Sequence, residues 1–317
     1  MKKIVILLLA LVLCFAVTAC SSETPEVPEA TQPSSNNTPI INQMPTKPQR
    51  PIEPEPEYTP STKPTAPKPG NGDFPEGSKV QTYTFNADDV LYLDIGCYGA
   101  QVVIKTASDN MITIATNLPY HDAALYEGYL SFYQKRDPNM AESDVEMILS
   151  GTQLIISIPE NKSFGEVNLY NSLDANYASY SVADWNISHL NAAKLNLHVD
   201  ISDMRITKLN VTESFTLYGG IGDVLIEDGV VNNSYLKLKS GDVGIVAAFT
   251  GENVIDSGFG NLTVGVKNAE SLAIDIADGS GVLTVQGYEL PTFKKTDGEH
   301  SLTITRTTGN VIFKEIQ

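Results

Sequence analysis

Three aspartates and one asparagine recur at nearly constant intervals in the second half of this 317-residue sequence. Asp203, Asp223, Asp242 and Asn261 follow one another at steps of 20, 19 and 19 residues. If each step is one layer of stacked strands, neighbouring side chains lie about 4.8 Å apart. Carboxylates at that spacing repel unless they bond to their own turns or share a cation. The row predicts turn-capping aspartates or a calcium ladder, with the acid and base of a polysaccharide-cleaving enzyme as a third alternative.

Aromatic side chains suggest a different kind of site. Seven of the 14 tyrosines lie between residues 120 and 180, close to the single tryptophan, Trp185. Exposed tyrosine and tryptophan offer large contact areas to sugar rings or protein partners, although tyrosine is also an ordinary strand residue. We name Tyr170, Tyr177, Tyr180 and Trp185 as candidate ligand-binding aromatics.

The other reactive residue types indicate no catalytic centre. The four histidines, His121, His189, His198 and His300, have no histidine or cysteine partner at metal-binding spacing. Cys97 has no nearby histidine, which favours a small buried residue over a nucleophile. Phosphate-loop, nucleophile-elbow and dinucleotide motifs are absent from the sequence. We therefore expect no catalytic residues, no enzyme activity and no cofactor other than calcium.

The aspartates belong to a longer repeat that indicates the elements positioning them. Six aligned rows begin at Ser202, Gly222, Gly241, Gly260, Gly281 and Gly309. In each row the third and fifth positions are apolar, which is the period of a strand with one buried face. Five residues before each row stands an aliphatic residue: Leu197, Leu217, Leu236, Ile255, Ile276 and Ile304. Glycine allows the turn a positive φ, so the repeat predicts an all-β, right-handed parallel β-solenoid that is β-helix-like.

Several segments carry a family resemblance. LYLDIGCYGAQVVIKT, LIISIPEN, FGEVNLYNS and the Gly-Asp-Val rows resemble a bacterial adhesin domain family of unknown function, over about residues 80 to 317. The resemblance implies a parallel β-solenoid with glycine-aspartate turns and an adhesin-like role, and it supplies no catalytic residues. The sequence departs from the pattern at Ser202, at Val282 and in the longer step before Gly309.

The N-terminus has the features of a secreted lipoprotein. Two lysines precede an apolar run that is too short to span a membrane, and Val17-Thr18-Ala19-Cys20 resembles a lipobox. We predict a signal peptide over residues 1–19 and lipidation of Cys20, whose acyl chains anchor the protein to a membrane outside the cytoplasm.

A proline-rich segment follows the lipidation site. Residues 20–76 contain 14 of the 18 prolines and no apolar periodicity, so we predict a disordered linker. Residues 77–317 form the predicted β-solenoid adhesin domain. Residues 118–146 are less regular, and Asp122 to Tyr133 are left open between a short helix and a hairpin. This domain has 15 basic and 30 acidic side chains, a net charge of −15, which argues against nucleic acid as a partner.

The combined prediction is a non-enzymatic, lipid-anchored extracytoplasmic protein for adhesion, cell-envelope binding or scaffolding. Its expected partners are the membrane, through the anchor, and a cell-wall glycan, a host glycan or an envelope protein. Two alternatives stay open: a polysaccharide-active enzyme that uses carboxylates on one face, and an accessory sensor of an envelope-stress system.

Overall fold

The computed structural model describes residues 73–135, 151–171 and 183–316. They lie within one compact unit, Thr59–Gln317. The predicted signal peptide, Cys20 and almost all of the predicted linker lie outside the described residues.

Short strands account for most of the described chain. They are β1 Gln81–Asn86, β2 Tyr92–Gly96, β3 Gln101–Ala107, β4 Met111–Thr116, β5 His121–Tyr126, β6 Tyr129–Gln134, β7 Gln153–Pro159, β8 Phe164–Tyr170, β9 Asp184–Ile187, β10 Leu190–Ile201, β11 Met204–Ile206, β12 Leu209–Ile221, β13 Val224–Asn232, β14 Ser234–Ser240, β15 Val243–Thr250, β16 Glu252–Phe259, β17 Leu262–Val266, β18 Leu272–Ile276, β19 Leu283–Val285, β20 Tyr288–Leu290, β21 Phe293–Lys295, β22 His300–Thr308 and β23 Val311–Glu315. Single 3-10 turns are formed by Ala87–Asp89 and Ala269–Ser271.

All 23 strands belong to one sheet, whose pairings follow two series. The first series runs β5-β6-β2-β8-β10-β12-β14-β16-β22-β18-β21. The second runs β1-β4-β7-β3-β9-β11-β13-β15-β17-β23-β19-β20. A short pairing between β12 and β13, at Leu209 and Gly229, joins the two series.

The core consists of the side chains that point inward from both series. Along β10 and β12 the buried residues alternate with exposed or half-buried ones, as expected for strands with one covered face. The largest fully buried side chains are Trp185, Phe132, Phe164, Phe215, Phe249 and Phe313. Burial of these rings together with the aliphatic side chains of both series is the main stabilising contribution that the strand pattern predicts.

The prediction of an all-β fold is confirmed for the described residues, but the right-handed parallel β-solenoid is wrong. The single sheet has mixed pairing: β1 with β4, β4 with β7, β5 with β6, β18 with β21 and β19 with β20 are antiparallel. Strand order also departs from chain order, because β2 lies between β6 and β8, and β22 lies between β16 and β18. A solenoid would add its strands one coil after another. Hydrophobic periodicity specifies which face is buried and leaves the pairing partner open.

Two hairpins account for part of this difference. The turn between β5 and β6 is made by Glu127 and Gly128, and the turn between β19 and β20 by Gln286 and Gly287, all four with positive φ. Such turns reverse the chain between antiparallel strands. The open choice for Asp122 to Tyr133 is therefore resolved as a hairpin over His121–Gln134, and residues 136–146 lie outside the described residues.

The predicted glycine turns have the expected backbone. Gly222, Gly241 and Gly260 have φ values of 132°, 115° and 129°. A Cβ atom on Gly241 would lie 2.0 Å from the backbone oxygen of Gly222, so no other residue fits without moving the neighbouring row.

Candidate functional site

The aspartate row lies beside the stacked glycine turns, as the repeat predicts. Asp203 Oδ1 accepts the backbone N–H of Asp223 at 2.9 Å, and Asp223 Oδ1 accepts that of Asp242 at 2.8 Å. Asp242 Oδ1 accepts the backbone N–H of Asn261 at 2.8 Å. Each side chain thus connects its own row to the next one and satisfies a donor that the turn would otherwise leave unpaired.

This geometry supports the turn-capping alternative for Asp203, Asp223, Asp242 and Asn261. In the part of the chain that the structure describes, no group of three or more His, Cys, Asp or Glu side chains is arranged to hold a metal ion. Burial raises the pKa of Asp223, and the carboxylates of Asp203 and Asp242 add to the effect, while the N–H of Asp242 opposes it. The calcium ladder stays a prediction for which the described contacts provide no ligand set.

The predicted aromatic residues do not form one cluster. Trp185 has 0 % of its surface exposed and pairs in register with Val102 and Met204 inside the core, so its assignment to a ligand-binding surface is wrong. The reason is the alternation of β9, which turns Asp184 outward and Trp185 inward. Tyr177 and Tyr180 lie outside the described residues. Tyr170 is half-buried and points outward from β8.

Tyr170 belongs instead to a set of rings on the outward face of the first series, which we call the aromatic face. Its members are Tyr133, Tyr170, His198, Tyr218 and Tyr235, carried by β6, β8, β10, β12 and β14. Ring centroids are 6.1 Å apart for Tyr133 and Tyr170, for His198 and Tyr218, and for Tyr218 and Tyr235. Strand pairing sets this spacing, because His198 stands in register with Tyr170 on one side and with Tyr218 on the other.

Gly96 of β2 leaves a gap in this face between two rings. It stands in register with Tyr133 and with Tyr170, and a Cβ atom at this position would lie 2.6 Å from Cε2 of Tyr170. The absence of a side chain lets both rings lean over β2.

A second group of tyrosines extends the aromatic face at its N-terminal end. Tyr92 and Tyr129 stack with their centroids 4.3 Å apart and their planes 19° apart. Tyr129 is exposed, and Tyr126 in the preceding strand is 73 % exposed. Exposed rings at neighbouring positions present apolar area to solvent that a ligand can cover.

Polar groups lie between the rings. Tyr133 Oη donates a hydrogen bond of 2.7 Å to Asp94 Oδ2, whereas Asp94 Oδ1 is buried and has no hydrogen-bond partner among the described residues. Asn196 Nδ2 donates to Asn168 Oδ1 at 2.9 Å and to Glu166 Oε1 at 3.3 Å. The face therefore combines rings with an acceptor whose bonding capacity is not used within the described chain.

Tyr133 and Tyr170 of this face have pKa values above that of a free tyrosine. Burial raises the pKa of Tyr133, and its hydrogen bond to Asp94 raises it further. Burial also raises the pKa of Tyr170, followed by its hydrogen bond to Tyr133. Both hydroxyl groups thus keep their protons, and the proton of Tyr133 is donated to Asp94.

Cys97, which follows Gly96 at the edge of this region, is fully buried. Its Sγ donates to Gln134 Oε1 at 3.3 Å, and the same oxygen accepts the backbone N–H groups of Tyr98 and Gly99 at 3.1 Å. Burial raises the pKa of the Cys97 thiol to about 12, so the reactive thiolate is absent at neutral pH.

A polar cleft of about 700 Å³ lies between the loops that follow β3 and β7. Asp109 and Glu160 are among its lining residues, and Lys162 Nζ donates to the backbone oxygen of Ala87 at 2.6 Å. Burial lowers the pKa of Lys162. The contacts of this cleft tie loops together and include no ring surface, so the aromatic face is the stronger candidate for ligand binding.

Four members of the aromatic face were missed by sequence reasoning: Tyr133, His198, Tyr218 and Tyr235. A signal was available for two of them, because His198 and Tyr218 directly follow Leu197 and Leu217, which the repeat predicts to be buried. Residues next to an inward position point outward. No pattern in the sequence identifies which outward residues become neighbours across strands.

The sequence matches one protein family. A family model described as Toastrack DUF4097 matches residues 93–313. A search of curated proteins gives no match to this chain. Among the described residues, no helix has the length and apolar character needed to cross a membrane.

Solved structures that resemble the chain are distant. A provisionally named cell adhesion protein of Clostridium sporogenes has 12 % identity and a TM-score of 0.30, and the match covers 75 % of this chain and 100 % of that one. A provisionally named adhesin of Parabacteroides distasonis has 12 % identity and a TM-score of 0.41, covering 76 % and 98 %. A provisionally named lipid binding protein of the same species has 9 % identity and a TM-score of 0.31, covering 76 % and 98 %. At these values we draw neither fold nor function from them.

Proposed function

We propose, for a chain that belongs to the Toastrack DUF4097 family, a non-enzymatic role in adhesion or cell-envelope binding, in which the aromatic face binds a glycan. The observation that carries the proposal is the set of outward rings at 6.1 Å spacing beside Asp94, whose Oδ1 atom has no partner among the described residues.

The chemistry of the face suits sugars. Tyrosine rings cover the apolar side of a pyranose ring, and they lose little side-chain entropy when they are already packed. Sugar hydroxyls need both donors and acceptors, which the hydroxyl groups of the exposed tyrosines and the amide of Asn168 can provide. Because the rings lie on paired strands, the face is largely formed before a ligand arrives.

We further propose that the protein acts outside the cytoplasm and is anchored by lipidated Cys20. The support is the apolar run before Cys20, the lipobox resemblance and the proline-rich residues 20–76. In this proposal residues 77–317 are held away from the membrane surface. The enzyme alternative has less support, because the carboxylates of the aspartate row bond to backbone N–H groups.

The test is a binding measurement with the full chain and a panel of purified cell-wall glycan, dextran, xylan and chitin oligomers. Saturable binding to at least one of these is expected, with a loss of about tenfold or more in Tyr170→Ala and in Tyr218→Ala. The matched control is Tyr288→Ala in β20, which removes a 75 % exposed tyrosine from the second series. Absence of binding to the whole panel, or equal losses in all three variants, would contradict the proposal.

A further inference from the structure

We propose that one end of the aromatic face is a subsite for an anionic group, and that the glycan is therefore an acidic polysaccharide. This inference rests on the proposed function, because it names the ligand class of the same face. The subsite lies beside Tyr218, where β10, β12 and β14 are adjacent.

A small cavity of about 50 Å³ marks this subsite. It is lined by His198, Tyr218, Gly219, Gly220, Lys237 and Lys239. Tyr218 stands in register with Lys237, and Lys239 follows two residues later on the same side of β14. The volume suits a carboxylate or sulfate group and is too small for a sugar ring.

Two glycines line this cavity. Gly219 stands in register with Leu238, and a Cβ atom on Gly219 would lie 2.8 Å from Cδ2 of that leucine. Gly220 follows it and has no side chain to fill the space beside Tyr218. A substituent on a sugar stacked over Tyr218 can therefore reach the backbone between the two lysines.

The charges of the two lysines are not neutralised within the described chain. Other lysines pair with carboxylates, as Lys194 does with Glu213 and Lys294 with Asp275. Lys237 and Lys239 have no ion pair or hydrogen bond from Nζ among the described residues, although Asp256 stands in register with Lys237. In a chain with a net charge of −17, an unpaired cationic pair beside exposed rings favours an anionic partner.

The anionic group would be bound by charge-assisted hydrogen bonds. Each lysine ammonium offers three donors on a flexible stem, so both can adjust to one carboxylate or sulfate. The adjacent ring of Tyr218 would hold the sugar that carries the group. Stacking on Tyr218 and ion pairing with the two lysines would thus act on the same sugar unit of the polymer.

Three polymers with one backbone separate these contributions: dextran, carboxymethyl-dextran and dextran sulfate. The full chain is expected to bind at least one anionic polymer about tenfold more tightly than dextran at low salt. In K237Q/K239Q this preference should fall to about twofold or less. The matched control K105Q/K314Q removes the same charge at exposed positions of β3 and β23 and should keep the preference.

The outcomes distinguish the subsite from the face itself. Equal binding of dextran and both anionic polymers, or equal losses in the two double variants, would overturn the subsite. If only Tyr170→Ala and Tyr218→Ala lose binding, the face is correct and the subsite is wrong. If only K237Q/K239Q loses binding, the subsite is correct and the stacking face is wrong. Binding of none of the three polymers overturns the subsite, while the face is judged by the wider glycan panel. The comparison of carboxymethyl-dextran with dextran sulfate identifies the preferred anion.

Discussion

Two carboxylates of this protein have opposite surroundings. Asp223 in the glycine-turn row uses Oδ1 to accept the N–H of Asp242, and its own N–H bonds to Asp203. Asp94 on the aromatic face accepts one hydrogen bond from Tyr133, and its other oxygen has no partner among the described residues. The first carboxylate completes the backbone of a repeated turn, whereas the second lies among tyrosine side chains and has one buried oxygen without a partner among the described residues.

The difference shows what a repeat implies for function. A residue that recurs at the same place in each row makes the same contact with the backbone in each row. Asp203, Asp223 and Asp242 each accept the backbone N–H of the next row. Side chains on the outward face do not make this backbone contact, so the residue type can change from strand to strand, as it does between Tyr218 and Lys237. The positions that repeat therefore maintain the fold, and the candidate site lies at the outward positions of the same rows, where the residue type varies.

The largest expected effect is on the glycine turns. In Gly241→Ala the new Cβ would lie 2.0 Å from the Gly222 oxygen at a φ of 115°, so we expect a loss of at least about 3 kcal/mol in the free energy of unfolding. Gly287→Ala is the control, because its φ is 87° and nothing lies within 4 Å of the new Cβ. It should cost about 1 kcal/mol. Urea unfolding of both variants makes the comparison, and equal losses would mean that stacking of the turns is not the constraint.

Part of this fold and site follows from the sequence alone. The repeat predicts a positive φ at Gly241 and burial of Leu236, and both are present in the structure. The order of β2 and β22 does not follow, because a strand's apolar face is compatible with several partners. The residue type of Trp185 predicts a surface position, which is wrong because the alternation of β9 places this side chain in the core. Asp94 becomes a candidate site residue only once the structure shows that its Oδ1 atom has no hydrogen-bond partner among the described residues.

A smaller effect is expected from Asp223→Asn. Burial raises the folded pKa of Asp223 above its ordinary value of 3.8, so the folded state holds this proton more tightly than the unfolded state. The protonated carboxyl of Asp223 therefore adds to the free energy of unfolding at low pH. This contribution is lost as pH rises through the raised pKa of Asp223. Asparagine keeps the acceptor, as Asn261 does for the N–H of Asn310 at 3.3 Å. The variant should be more stable than wild type at pH 7 by less than about 1 kcal/mol, after allowance for screening.

The pH dependence checks that interpretation. Unfolding measured between pH 3.5 and pH 7 should show the difference between Asp223→Asn and wild type shrinking as pH falls. The control Asp89→Asn removes a charge from an exposed position in the first 3-10 turn and should show no such trend. A variant that is less stable than wild type at pH 7 would indicate that the negative charge itself stabilises the row.

The smallest expected effect is that of calcium. Because the row oxygens of Asp203, Asp223 and Asp242 accept backbone N–H groups, we expect the melting temperature to be the same in millimolar calcium and in chelator. Scanning calorimetry of the full chain in both conditions measures this. If calcium raises the melting temperature of the wild type but not that of Asp223→Asn, the calcium ladder is supported.

The most direct test of the central claim compares the two regions in one binding assay. The glycan that binds most tightly in the panel is titrated against Tyr170→Ala/Tyr218→Ala and against Asp223→Asn/Asp242→Asn. The account predicts a loss of affinity of about tenfold or more in the tyrosine variant and no change in the aspartate variant. Affinity lost in the aspartate variant and kept in the tyrosine variant would contradict it and move the binding site to the glycine-turn row.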